Sequence, residues 1–310
     1  MENKLHISVS PHIKSKKTTR DIMLDVLIAL LPATVMGCVI FGIRALLVIF
    51  ACVAGAVLSE FLFCLITKKQ QTVSDLSAAV TGLLLALNIP ANIPIWQAVI
   101  GSVFAIIFVK CLFGGIGKNF ANPAITARIF MLVAFGNMAK AAYPVIVDTA
   151  TGATPLDALA NDGIVPELLD LFLGIRGGAI GETCVAALLL GGAYLLVKRV
   201  INPSAPVAMI LTVFLLSLAF EGGSFITALE WTLSGGLFLG AIYMATDYST
   251  TPVTSLGKAV FGVGAGVITV LIRFFGTYPE GVSYAILLMN ILTPYIDKFT
   301  ARRPFGGKIK

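Results

Sequence analysis

Apolar residues in this chain fall in long, nearly unbroken runs, and the polar residues gather in the gaps between them. Runs of this length predict membrane-spanning helices, because a barrel strand would show short stretches of strict alternation instead. Ten such spans are expected, near residues 22–42, 45–66, 74–90, 95–115, 123–139, 182–197, 204–220, 225–245, 258–275 and 281–297. The third and fifth are short for a crossing of ~20 residues. The third ends in residues 88–94 (NIPANIP), whose two prolines stop any helix there.

Composition agrees with the pattern. The chain has 310 residues, of which 57% are hydrophobic and 12% charged, with a mean hydropathy of +0.94. A water-soluble domain carries about 25% charged residues. The bilayer is therefore the solvent for most of this chain, and backbone groups in lipid must be satisfied within helices. The expected fold is an all-α polytopic membrane protein without a conventional soluble domain.

The net charge of +6 changes the picture only through its placement. If the N-terminus lies on the cytoplasmic side, the inner segments 1–21, 67–73, 116–122, 198–203, 246–258 and 298–310 hold 16 Lys and Arg residues. The outer segments hold three: Arg44, Lys140 and Arg176. This bias follows the positive-inside rule and sets both termini in the cytoplasm. It also removes any need for a nucleic-acid partner; lipid is the expected surrounding. The basic stretch Lys14, Lys16, Lys17 and Arg20 precedes a run too long for a signal peptide, so the first span reads as a retained helix.

Cys38, Cys52, Cys64, Cys111 and Cys184 all lie in or beside apolar runs, and none forms a C-x-x-C pair. His6 and His12 are both near the N-terminus. No Cys/His spacing suits a metal, so small apolar packing is the expected role of the cysteines.

The spans are duplicated. Residues 97–125 align without a gap on 258–286, with nine identities in 29, among them Gly101/Gly262, Phe113/Phe274 and Gly115/Gly276. A repeat of five spans must invert in the membrane, and inverted repeats place ligands at broken helices near the midplane. The corresponding interrupted segments are 87–90 (LNIP) and 244–252 (MATDYSTTP). The expected organisation is a cytoplasmic tail (1–21), a first five-helix repeat (22–139), an extracytoplasmic segment (140–181), a second repeat (182–297) and a cytoplasmic tail (298–310).

The long outer segment contains residues 148–156 (DTATGATPL). Locally, Thr154 caps a short helix that begins with Pro155. Alternatively, the small residues expose the Thr154 hydroxyl for modification. The spacing Asp148-x-x-Thr151-Gly152-Ala153-Thr154 resembles the flavinylation motif read by a dedicated flavin transferase. Residues 10–12 (SPH), 77–87 (SAAVTGLLLAL), 114–124 (GGIGKNFANPA) and 244–247 (MATD) extend the likeness over nearly the whole chain. It is similar to the D subunit of Rnf complexes, the ion-pumping ferredoxin:NAD oxidoreductases, and to the B subunit of the sodium-pumping NADH:quinone reductase. The chain begins just before residues 10–12, without the longer N-terminal extension of the quinone-reductase homologue, which favours the Rnf resemblance.

The resemblance implies covalent FMN on Thr154, with Asp148, Thr151, Gly152 and Ala153 as recognition or contact positions. It implies riboflavin near Asn119 and Asn122 as a second flavin. Two amides three residues apart suit the alternating donors and acceptors of an isoalloxazine edge. Asn122 before Pro123 is equally suited to capping a helix. Residues 177–183 (GGAIGET) read either as a phosphate-binding helix start, with Arg176 adding charge and Glu182 in the first turn, or as a plain helix start. Among the ionisable residues in or near spans, Glu60, Glu230 and Asp247 are candidates for a cation path, whereas ion pairing or snorkelling suits Lys110 and Arg273.

The implied function is an electron-carrying membrane subunit of a redox-driven Na⁺ or H⁺ pump in a prokaryotic cytoplasmic membrane. Its implied partners are the flavin transferase and other Rnf subunits, including an extracytoplasmic FMN-bearing subunit and a cytoplasmic subunit on the NAD side. It acts as part of an oxidoreductase, with no independent catalytic residues. The inverted repeat alone suits a solute transporter or channel equally well, and a cofactor-free scaffold is a third reading. Thr154 separates them, because neither alternative has a use for flavin on that hydroxyl.

Overall fold

Thr18 opens the first helix with a reciprocal cap: its side chain accepts from the Asp21 N–H, and the Asp21 carboxylate accepts from the Thr18 N–H at 2.8 Å. The computed structural model describes residues 17–139, 142–145, 154–161, 163–276 and 280–301. Helix α1 (Thr19–Phe41) ends at Gly42, whose φ of 70° turns the chain directly into α2 (Ile43–Ile66). The first repeat continues with α3 (Ser77–Leu87), α4 (Ile95–Cys111) and α5 (Pro123–Ala134). Two short helices follow, α6 (Pro155–Ala160) and α7 (Leu168–Leu173). The second repeat comprises α8 (Val185–Val197), α9 (Ser204–Phe220), α10 (Phe225–Leu233), α11 (Leu237–Met244), α12 (Ser255–Phe275) and α13 (Val282–Thr300).

By length and composition, α1, α2 and α12 can each cross a membrane alone, and α10 with α11 can do so as a bent pair. The remaining predicted spans are shorter apolar helices, or in α13 a 19-residue helix containing Pro294. The protein is an all-α polytopic membrane protein. Its exposed large side chains on α1 and α2, among them Leu31, Val35, Val39, Phe50 and Leu62, form the apolar exterior such a protein presents to lipid.

The duplication is visible in the element order. Helices α2 and α9 begin 161 residues apart, α3 and α11 160, α4 and α12 160, and α5 and α13 159. The packing repeats as well: α2 lies against α4, and α9 against α12. Equivalent helices also meet across the repeats, α1 with α8 and α5 with α13. Small residues permit these approaches. A Cβ on Gly262 would press on Ala205 and Ala208 of α9, and one on Gly82 would press on Cys52 and Val53 of α2.

Three expected elements are corrected. The expected span 225–245 is two helices bent by 64° at residues 234–236, where Gly235 takes φ +69°. The bend lets the Ser234 and Trp231 carbonyls accept from the Arg273 guanidinium. The expected span 95–115 ends at Cys111, and its residues Phe104–Cys111 are wound as a π-helix. The expected span 182–197 begins only at Val185, because residues 177–183 form an irregular segment. In that segment Gly181 N donates to Leu87 O and Ile180 N donates to Ile89 O, so its amides cap the broken end of α3.

Candidate functional site

Two cavities lie at opposite ends of the broken helices. The first has an empty volume of about 790 Å³, counted to its open mouth. Ser77 and Thr81, at the start of α3, line it together with Thr246, Asp247 and Ser249, which follow the end of α11. The equivalent helices α3 and α11 therefore run in opposite senses, as an inverted repeat requires. Asn119, Asn122, Lys110, Tyr243 and Tyr248 complete its polar lining.

Asn122 does what its place before Pro123 suggests: its side-chain oxygen accepts from Ala124 N at 3.0 Å and from Ile125 N at 3.4 Å, capping α5. It also lines the cavity. Asn119 differs, because its side-chain oxygen is buried and has no hydrogen-bond partner among the described residues. An orphaned buried acceptor costs roughly 1–3 kcal/mol unless a ligand or water completes it. A donor from a ligand or a water would complete the Asn119 oxygen.

Lys110 is buried (2% exposed), and its Nζ donates to Glu60 Oε1 at 2.8 Å and to Ser77 Oγ. Thr72 Oγ1 donates to the same Glu60 oxygen at 2.7 Å, and Asp75 accepts from Ser77. Of the three carboxylates expected along one cation path, Glu60 joins this network and Asp247 lines the same cavity as Lys110. Glu230 sits apart on α10, half-buried, with Glu221 as its charged neighbour.

The second cavity is larger, about 1610 Å³ to its mouth, and is lined by Thr154, Asp157, Asp170, Tyr143 and Arg176. Thr154 is 8% exposed and caps α6: Asp157 N donates to its Oγ1 at 3.0 Å, and Oγ1 donates to Asp157 Oδ2 at 2.7 Å. Arg176 is 4% exposed and donates through Nη2 to the Glu182 carbonyl at 2.8 Å. Its Nη1 is buried without a partner among the described residues. Burial pushes this guanidinium down to about 10, with Glu182 opposing, so it stays charged at neutral pH. Thr154 and this buried guanidinium line the same cavity, and an N–H without a partner among the described residues is chemically suited to a phosphate.

Asp148, Thr151, Gly152 and Ala153 lie outside the described residues. Glu182 does not line the cavity. Its Oε1 accepts from Ala179 N at 2.9 Å, and its Oε2 is 4.0 Å from Arg128. Arg128 in turn donates to Asn88 at 2.7 Å, to Ser283 at 3.2 Å and to Glu280. The helix-start reading of residues 177–183 as a phosphate cradle is thereby corrected, since Gly181 donates to the last carbonyl of α3, Leu87, and Ile180 to Ile89 just beyond it. Sequence reasoning also missed Asp157, although Thr154-x-x-Asp157 has the capping-box spacing that would have revealed it.

The chain matches the model of the NQR2, RnfD, RnfE family over residues 6–306. It is 46% identical over 315 residues to the D subunit of the Na(+)-translocating ferredoxin:NAD(+) oxidoreductase complex of Acetobacterium woodii, covering 100% of this chain and 98% of the relative. It is 42% identical to the D subunit of the proton-translocating ferredoxin:NAD(+) oxidoreductase complex of Clostridium ljungdahlii, over 99% and 98% of the two chains. It is 36% identical to the D subunit of the ion-translocating oxidoreductase complex of Stutzerimonas stutzeri, over 92% and 91%. With the family matched along nearly its whole length, and with relatives this similar end to end, the chain belongs to the NQR2, RnfD, RnfE family.

Proposed function

We propose that this chain is the membrane electron-transfer subunit of an Rnf-type ferredoxin:NAD oxidoreductase, carrying FMN covalently on Thr154 and riboflavin in the Asn119 cavity. The carrying observation is that Thr154 lines one cavity with Arg176, whose Nη1 has no partner among the described residues. Arg176 would hold the phosphate, and Tyr143 would close the wall beside it. Asn119 and Asn122 would face the second flavin. Flavins supply the electron chemistry; the protein supplies position, electrostatics and exclusion of water.

In this reading the Thr154 cavity is extracytoplasmic and the Asn119 cavity cytoplasmic, as the placement of Lys and Arg along the sequence suggests. Electrons enter from an outer flavoprotein subunit and move inward, and their passage drives a cation the other way. Relatives named for sodium and for protons stand at 46% and 42% identity, so the coupled cation in this reading is sodium or a proton.

The test is flavin fluorescence of the denatured chain on a gel, after production with an active flavin transferase. A fluorescent band lost in Thr154→Ala supports the reading. Two dark bands, beside a fluorescent control substrate, overturn it in favour of a transporter or scaffold.

A further inference from the structure

The two cavities differ in the kind of buried polar atom that has no partner among the described residues. In the Thr154 cavity these are Arg176 Nη1 and the Tyr143 hydroxyl, both able to donate. In the Asn119 cavity it is the Asn119 side-chain oxygen, which only accepts. A phosphate accepts and does not donate, so it suits the first set and not the second.

The charges of the Asn119 cavity point the same way. Among the described residues, two charged side chains line it, Lys110 and Asp247. The Lys110 ammonium is already given to Glu60 and Ser77. Two helices start at the cavity, where free amides would suit an anion, but both starts are occupied. Asp75 Oδ1 accepts from Ser77 N at 2.8 Å at the head of α3, and Asn122 caps α5. Asp247 forms no ion pair among the described residues. Its carboxylate accepts from Ser249 N at 3.2 Å, from Ser249 Oγ at 3.0 Å and from Thr250 Oγ1 at 3.2 Å, which fix it in the turn after α11. Burial pushes the Asp247 carboxyl up, and those bonds oppose the shift. Burial, then Asp247, then Asp75 push up the Tyr248 phenol on the same wall, which therefore lies in a negative field.

We propose that Asp247 is a specificity-determining residue that restricts the Asn119 cavity to a flavin without a phosphate, accepting from the hydroxyls of its ribityl chain and turning away the phosphate of FMN. This inference rests on the reading that a non-covalent flavin occupies that cavity. A phosphate monoester carries close to two negative charges at neutral pH. Beside Asp247 it would meet a like charge or force a proton onto the carboxyl, and either costs free energy. A polyol brings donors to the same carboxylate and adds no charge. Discrimination of this kind comes from an uncompensated repulsion in the wrong complex rather than from an extra contact in the right one.

The experiment identifies the flavins held by the intact purified complex containing wild type, Asp247→Asn or Asp247→Glu. Denaturation leaves flavin attached at Thr154 on the chain and releases the rest for chromatography. Wild type and Asp247→Glu are expected to release riboflavin with at most traces of FMN. Asp247→Asn is expected to raise the ratio of FMN to riboflavin by about tenfold or more, since one of two neighbouring like charges is gone. A residue that merely supported the turn would change the amount of flavin and not its identity.

Riboflavin alone from Asp247→Asn, in the wild-type amount, overturns the inference and leaves the flavin cavity standing. If Asp247→Asn empties the cavity, Thr246→Lys decides the matter, because it adds a cation to the same wall and keeps Asp247. FMN released from Thr246→Lys supports the inference, and riboflavin alone or no flavin overturns it. FMN as the main flavin released from wild type overturns the inference but not the cavity reading. Absence of released flavin from wild type overturns both.

Discussion

The hydroxyl of Thr154 donates to Asp157 Oδ2 at 2.7 Å while accepting from the Asp157 amide at 3.0 Å, so one oxygen serves as helix cap and as the proposed point of flavin attachment. Esterification removes the proton that Asp157 accepts but leaves the oxygen that accepts from the amide. Half of the cap therefore survives the modification. Thr154→Ser is expected to keep both cap and fluorescence. Thr154→Ala is expected to lose all fluorescence and only about 1 kcal/mol of stability. Fluorescence retained in Thr154→Ala would place the flavin on another residue, and a chain that fails to accumulate would show that the two roles are not separable in this way.

Arg176 lines the Thr154 cavity, and its fork already gives one arm to the Glu182 carbonyl. Arg176→Gln should lower covalent flavin content several-fold, and Arg176→Lys should give an intermediate level, because an ammonium replaces the charge but not the fork. Absorbance of the denatured protein, after the released non-covalent flavin is removed, measures this. Equal content in all three proteins would exclude Arg176 as the phosphate partner.

Asn119 has an oxygen with no partner among the described residues, whereas Asn122 is occupied with capping α5. Asn119→Leu is accordingly expected to release non-covalent flavin without changing the flavin on Thr154 or the thermal midpoint. Asn122→Ala is expected to lose flavin and about 1 kcal/mol of stability together. Chromatography of flavins released by denaturation, run beside a thermal melt, separates the two outcomes. Loss of covalent flavin in Asn119→Leu would contradict independent sites.

Arg128 holds Asn88, Ser283, Glu280 and Glu182 around one guanidinium, tying α3 and α5 of the first repeat to the second. Removing one member of a buried charge network costs roughly 3–5 kcal/mol. Arg128→Met should therefore lower the unfolding temperature of the detergent-solubilised protein sharply. Adding Glu280→Gln should recover part of the loss, since it removes the stranded carboxylate. A double variant as unstable as the sum of the singles would show that the pair is not coupled.

Gly191 on α8 lies where α1 crosses it. A Cβ there would overlap the Ala29 carbonyl oxygen and the Tyr243 hydroxyl, which donates to Ala29 O and Leu188 O. Gly191→Ala should cost at least about 1–3 kcal/mol by overpacking. It should lower the yield of folded protein in a size-exclusion profile, whereas a wild-type profile would mean that α1 and α8 can separate.

The sequence by itself determined which stretches lie in the membrane, because the bilayer imposes length and apolarity directly on each helix. Helix α9 occupies residues 204–220 as the hydropathy pattern predicts, and the 161-residue offset read from Gly101/Gly262 returns as the spacing of α2 and α9. The cap formed by Thr154 ahead of Pro155 was equally legible, since it is local. Hydropathy could not locate the 64° bend at residues 234–236, the π-helix at Phe104–Cys111 or the irregular segment before Val185, because all three lie within or beside apolar runs. Only the tertiary structure decided where the buried charges go. Lys110 finds Glu60 from 50 residues away, and Arg128 meets Ser283 from 155, because a polar group excluded from both water and lipid must take its partner from whichever helix packs beside it.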